Sequence, residues 1–197
     1  MKSNTIRKFR WIAFLPYSII FNLKYLSFKK AVKLPIIFYV RPKFLQLSGH
    51  VKIENQIKTG MIKLGIDIAS IESYAKFRWQ NAGTVIFKGA CIISHHTFIS
   101  CSNTGIIEFG NNSSYSYGLK IIACEKILFG NKARISWNCT FIDTDFHPII
   151  DLSCNKKMSI TSPISIGYAG WIGHDSIISK GSRIPDNTIV ASGSIVK

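Results

Sequence analysis

For its first 53 residues this chain of 197 contains no aspartate or glutamate, and the first carboxylate is Glu54. Eleven lysines and arginines, from Lys2 to Lys52, stand in that stretch without a counter-charge, whereas the remainder holds fourteen basic and ten acidic residues. The net charge of +15 is thus mainly an amino-terminal property. Apolar runs of spanning length are missing as well. The uncharged stretch between Arg10 and Lys24, Trp11 to Leu23, has thirteen residues, short of the roughly 20 that a membrane-crossing helix needs. A secretory leader is the weaker reading, because Tyr25, Phe28, Lys29 and Lys30 follow where a small-residue cleavage site would stand. Cysteines number five (Cys91, Cys101, Cys124, Cys139, Cys154), with no C-x-x-C pair. An odd count without pairs argues against a disulfide framework and a zinc site, and predicts a reducing, cytoplasmic setting.

With 47% apolar and 18% charged residues, wholesale disorder is excluded, and the length suits one domain plus an extension. A basic, aromatic-rich segment can meet nucleic acid, an anionic membrane surface or an acidic polymer. No nucleic-acid module accompanies it, so nucleic acid is not expected as a partner. The two readings kept are attachment to the inner face of a membrane and a helix packed on the domain's own apolar surface.

The strongest positive signal is a six-residue period at the carboxy-terminal end. Ile166, Ile172, Ile178, Ile184 and Val190 recur at every sixth position, and Gly170, Ser176, Ser182, Thr188 and Ser194 each follow four places later. Neither the helical period of 3.6 nor the strand period of 2 produces such a series. A chain wound as a three-sided prism does, with six residues to a side. The aliphatic residue points inward and stacks on its equivalents about 4.8 Å above and below, while the small one fits a cramped corner. The same phase continues upstream through Phe87-Ile93-Ile99, Phe109-Tyr115-Ile121 and Phe129-Ile135-Phe141, trios that start 22 and then 20 residues apart. Gly110-Asn111-Asn112 and Gly130-Asn131 supply corners. The expected organisation is all-β: residues 48–197 as a parallel β-helix, with residues 48–84 as early irregular coils, preceded by a short, helical, basic extension over residues 1–47.

The stretch Ile166-Gly167 through Trp171-Ile172-Gly173-His174, then Lys180-Gly181 and Ala191-Ser192-Gly193-Ser194-Ile195-Val196, resembles the closing coils of the hexapeptide-repeat acyltransferases. That family includes the maltose and galactoside O-acetyltransferases and the O-acetyltransferases of surface-polysaccharide synthesis. Ile135-Ser136-Trp137-Asn138 and Asp143-Thr144-Asp145-Phe146-His147-Pro148 resemble its catalytic segment. The resemblance covers residues 85–197. It implies left-handed winding, a homotrimer, and acetyl-CoA as co-substrate in the groove between neighbouring prisms.

Acyl transfer needs a base to take the acceptor's proton and donors for the developing negative charge. By the resemblance His147 is the base, and Asp145 or Asp143 orients its ring unless these are solvated turn acids. Asn138 either faces the acceptor or thioester or is a corner residue. Trp171 lines the cofactor groove or simply packs. Backbone amides near Gly170 and Ser179 would meet the pantetheine arm, and Lys180, with Lys156, Lys157 and Lys197, the phosphates. No metal is expected: the adjacent pair His95-His96 points to opposite faces, which disfavours the zinc-dependent carbonic anhydrases of this scaffold. Gly118 to Cys124 carries no acid or amide where galactoside-type enzymes bind their acceptor. That departure argues against a galactoside or maltose acceptor; the acceptor expected is another small molecule or, as the long basic apolar amino terminus suggests, a lipid-linked glycan of capsule or cell-envelope synthesis. The alternative function is a non-enzymatic β-helical scaffold or glycan-binding module.

Overall fold

The inward positions of the hexads form three parallel sheets along the sides of a prism. The computed structural model describes residues 10–67 and 76–197; Lys2, Arg7 and Lys8 of the basic segment and part of the early coils lie outside them. The first sheet has seven strands, from Ile36–Phe38 to Ile189–Val190, the second seven, from Pro42–Leu47 to Ile195–Val196, and the third six, from His50–Ile53 to Arg183–Ile184. Pairing is parallel throughout the three sheets, and the register joins the residues picked out by the repeat. Phe87 faces Phe109, Ile93 faces Tyr115, Ile99 faces Ile121, and Ile121 faces Phe141. Phe87, Phe109 and Phe129 form a stacked ladder with centroids 5.2 and 5.7 Å apart. All of these side chains are fully buried or nearly so.

The corners show why the small residues recur. Cys91, Thr97, Ser113, Ala133, Cys139, Ser176 and Ser182 are buried where two sides meet. Asn103, which continues that series in the sequence, is exposed. Gly110 and Gly130 act through closeness rather than through φ. A Cβ on Gly110 would lie 2.1 Å from the Gly130 carbonyl oxygen, and the positive φ falls two residues later, on Asn112 and Lys132. Between the first and second sheets the left-handed residue of successive coils is His96, Gly118, Asn138, Asp175 and Gly193. One repeated backbone kink thus turns these five coils at that edge.

The prism begins earlier than expected. Residues 36–47, assigned by sequence to the extension, already form the first strands of two sheets, because inward Ile36 and Phe38 pair in register with Ile62 and Leu64. Ahead of them a 3-10 turn (Arg10–Phe14) leads into helix α1 (Leu15–Tyr25), with Pro16 in its first turn, and a short helix α2 (Phe28–Ala31) follows. Phe21 of α1 plugs the prism's end, its ring 4.8–5.7 Å from those of Tyr25, Phe38, Phe44 and Trp79.

Candidate active site

The repeat is broken once in its carboxy-terminal half, between Ile142 and Ile164. There the chain leaves the prism, and Asp143 fixes the root of the departure. This fully buried carboxylate accepts the backbone N–H groups of Cys124, Glu125 and Lys126 at 2.7, 2.9 and 2.7 Å. Charge-assisted bonds of this kind are among the stronger ones available. The stem closes through Asp145 N–H to the Ile160 carbonyl (2.9 Å) and Ser162 N–H to that of Asp143 (3.0 Å). Beyond it a two-stranded hairpin pairs Ile150–Asp151 with Lys156–Lys157, antiparallel.

His147 sits on this excursion, exposed, immediately after Phe146, whose φ is +61°. A left-handed conformation in a bulky residue costs roughly 1–2 kcal/mol and turns the chain so that His147 stands away from the prism. Neither candidate acid orients it. Asp143 is spent on backbone amides, and Asp145 is ion-paired with Lys180, whose ammonium also donates to the Ser159 carbonyl at 2.5 Å. Lys180 therefore braces the stem. Of the expected site residues, the structure brings Asp145 and Lys180 together.

A second constellation occupies the edge between the first and second sheets. Tyr117, Trp137 and His174 come from corresponding corners of successive coils and stack in parallel. Centroids are 6.4 and 4.6 Å apart and planes within 8° and 5°, and His95 meets Tyr117 edge-on. At the head of the column His174 Nδ1 lies 2.7 Å from Asp175 Oδ2. Hydrogen bonds from His174, and secondarily from Asn138, hold the Asp175 carboxyl below the usual carboxylate range. Asp175 is then ionised at neutral pH, and Nδ1 is the ring nitrogen of His174 that faces it. Asn138 is the corner residue, with φ +57°. Its side-chain amide oxygen lies where a Cβ on Gly118 would come within 2.2 Å.

Nearby, Trp171 is 49% exposed on the outer face of the first sheet, and its indole N–H donates to Ser136 Oγ at 3.1 Å. Such an apolar surface fits the pantetheine or adenine portion of a coenzyme. Gly170 precedes it at the corner, where a Cβ would meet the Ile166 side chain at 2.9 Å. Ser179 lies on the second sheet, paired with Ile142, and its carbonyl accepts Ser182 N–H. Among the described residues no group of three metal-ligating side chains converges. His95 and His96 part as expected, one buried and one exposed.

The column of Tyr117, Trp137, His174 and Asp175 was not anticipated. Its signal was present in the sequence: His95, Tyr117 and Trp137 are spaced by 22 and then 20 residues, the spacing that relates Phe87, Phe109 and Phe129 inside the prism.

Three parallel faces, six-residue sides and inward aliphatic ladders define a parallel β-helix built of hexapeptide repeats. Within that class the chain resembles the acetyltransferases. No family model matches it. The galactoside O-acetyltransferase of Escherichia coli (strain K12) is 34% identical over 91 residues, 46% of this chain and 44% of that protein. The chain therefore spans less than half the length of this relative. A crystal structure of the polySia-specific acetyltransferase NeuO superposes with a TM-score of 0.44 at 21% identity, covering 82% of this chain and 67% of that one.

Proposed function

We propose that this chain transfers an acetyl group from acetyl-CoA to a hydroxyl or amine of a glycan or sugar, with His147 as general base. The observation that carries the reading is the excursion. It interrupts a regular repeat, is rooted by a buried carboxylate, and presents an imidazole at the position where the resemblance puts the base. Acetyl-CoA, when bound, supplies the thioester. The imidazole takes the acceptor's proton as its oxygen or nitrogen attacks, and can return it to the departing thiolate. Trp171 offers the coenzyme an exposed indole beside Gly170, and Lys156 and Lys157 on the hairpin remain exposed for its phosphates.

The excursion also supports a homotrimer. Phe146, Ile149, Ile150, Leu152 and Met158 are 47–90% exposed, an apolar surface that a neighbouring prism would cover. The missing acid or amide over Gly118 to Cys124 speaks against a galactoside acceptor, and the basic apolar amino terminus supports a lipid-linked glycan of capsule or cell-envelope synthesis.

One observation favours a second assignment of the base. His174 has the Asp175 carboxylate within hydrogen-bond distance of its Nδ1, a partner that His147 lacks among the described residues. The two histidines stand on different edges of the prism and can be removed separately.

Calorimetric titration with acetyl-CoA and free CoA tests the donor. Saturable binding by the wild type and by His147→Ala is expected, since the base is not needed for affinity. No binding of either coenzyme form would give first place to a scaffold or glycan-binding module.

A further inference from the structure

Helix α1 is amphipathic in the inverted sense. Its polar residues Ser18 and Asn22 are completely buried, while Ile19, Ile20 and Leu23 are 39–57% exposed. The reason lies beneath the helix. Ile36–Phe38 is the free edge of the first sheet, and its backbone groups would be unsatisfied there. Ser18 Oγ accepts Phe38 N–H at 3.0 Å, and the Asn22 amide donates to the Ile36 carbonyl at 2.7 Å while its oxygen accepts Ile36 N–H at 3.3 Å. With Ser18 and Asn22 on the inward stripe beside Phe21, the aliphatic side chains of Ile19, Ile20 and Leu23 face outward. Ile12, Phe28 and Val32, at 51%, 72% and 56% exposure, extend the patch.

Charge selects the occupant. Lys24, Lys29 and Lys30 on these helices and Lys33 just after α2 are exposed, and no acid precedes Glu54. Beside Tyr17 of α1, a cleft of about 530 Å³ is lined by Arg41, Lys43 and Lys76 together with Pro42 and Phe44. A second copy meeting this face through a two-fold contact would set lysines against lysines. An anionic surface that is apolar beneath matches both features. No helix among the described residues is long and apolar enough to cross a membrane. With eleven residues, α1 is about 16 Å long, half the hydrocarbon thickness.

We infer that α1 and α2 form a docking face for an anionic lipid bilayer, lying in the interface plane with Ile19, Ile20, Leu23 and Phe28 inserted and the lysines at the headgroups. The inference is independent of the acetyltransferase reading, since a scaffold could dock in the same way.

Co-sedimentation of the full chain with phosphatidylcholine vesicles, with and without about one-third phosphatidylglycerol, tests it. Binding is expected on the anionic vesicles alone and should weaken with salt. Replacing Ile20→Ser and Leu23→Ser together should reduce the partition coefficient about tenfold or more at unchanged Tm. The quadruple change of Lys24, Lys29, Lys30 and Lys33 to Gln should reduce it about 10²- to 10³-fold, and it decides the matter if the Ile20 and Leu23 variant unfolds. Wild-type protein that stays in the supernatant with both vesicles would overturn the inference. So would variants that sediment as well as wild type, or an oligomer that dissociates on Ile20→Ser and Leu23→Ser without lipid.

Discussion

The prism and the excursion at residues 143–163 handle apolar side chains in opposite ways. In the prism each inward position is sealed by the coils above and below, so Phe109 is fully buried between two other phenylalanines. In the excursion Leu152 is 90% exposed and Phe146 56%, on a segment held by a narrow stem and a two-stranded hairpin. The contrast separates what stabilises this molecule from what it presents to others. A continuous ladder supplies the stability, and an interruption in it carries the imidazole.

The largest expected effect tests that separation directly. Phe109→Ala should cost about 4 kcal/mol, the transfer and cavity terms of a buried aromatic, whereas Leu152→Ala should stay within about 0.5 kcal/mol. Both are read from denaturant midpoints. Comparable losses at the two sites would end the distinction.

Asp143→Ala acts where the regions join. It leaves three backbone N–H groups without their charged acceptor, and about 3 kcal/mol is expected. The loss should be accompanied by faster proteolysis at the hairpin, because the stem is no longer pinned. Stability within about 0.5 kcal/mol of wild type would mean that the carboxylate does not hold the root.

Thiols sharpen the comparison with a smaller effect. Burial pushes Cys91 up to about 12 and Cys101 and Cys139 up to about 11, from an ordinary 9.0. Above pH 9 the unfolded chain therefore releases protons that the folded one retains. The stability these thiols contribute is complete below about pH 9 and is lost as pH rises through about 11 to 12. A Tm series should fall on the alkaline side, and Cys91→Ser, Cys101→Ser and Cys139→Ser together should flatten that fall. In native protein a thiol reagent should modify exposed Cys154 on the excursion first and the three prism thiols only after unfolding. Equal reactivity of all five would contradict the burial.

The prism was legible because its period is a local property of the chain. Ile166 to Val190 sit six apart for a geometric reason that needs no knowledge of the neighbours. Its start was less legible. Ile36 and Phe38 pair through Ile62 and Leu64, across a longer connection that hides the period. A helical amino-terminal extension was expected, without bounds for its helix; that Ser18 and Asn22 of Leu15–Tyr25 face inward was not readable from hydropathy, since they do so only because a strand edge needs capping. In the candidate site, the break in the repeat around His147 showed in the sequence. The partners of Asp143 and Asp145 did not, because whether an acid holds backbone amides, a lysine or an imidazole depends on coils folded elsewhere. The Trp137 and His174 column had a sequence ruler, yet side chains at equivalent corners stack only once the coils are in register.

The most direct test is the rate of acetyl-CoA-dependent CoA release, measured over a panel of glycan and amine acceptors for wild type, His147→Ala and His174→Ala. With any acceptor that the wild type uses, His147→Ala is predicted to lose about 10²- to 10⁴-fold in rate with no change in Tm, and His174→Ala less than about tenfold. Full activity in His147→Ala, with the large loss falling on His174→Ala, would contradict the account and move the chemistry to the prism's own edge.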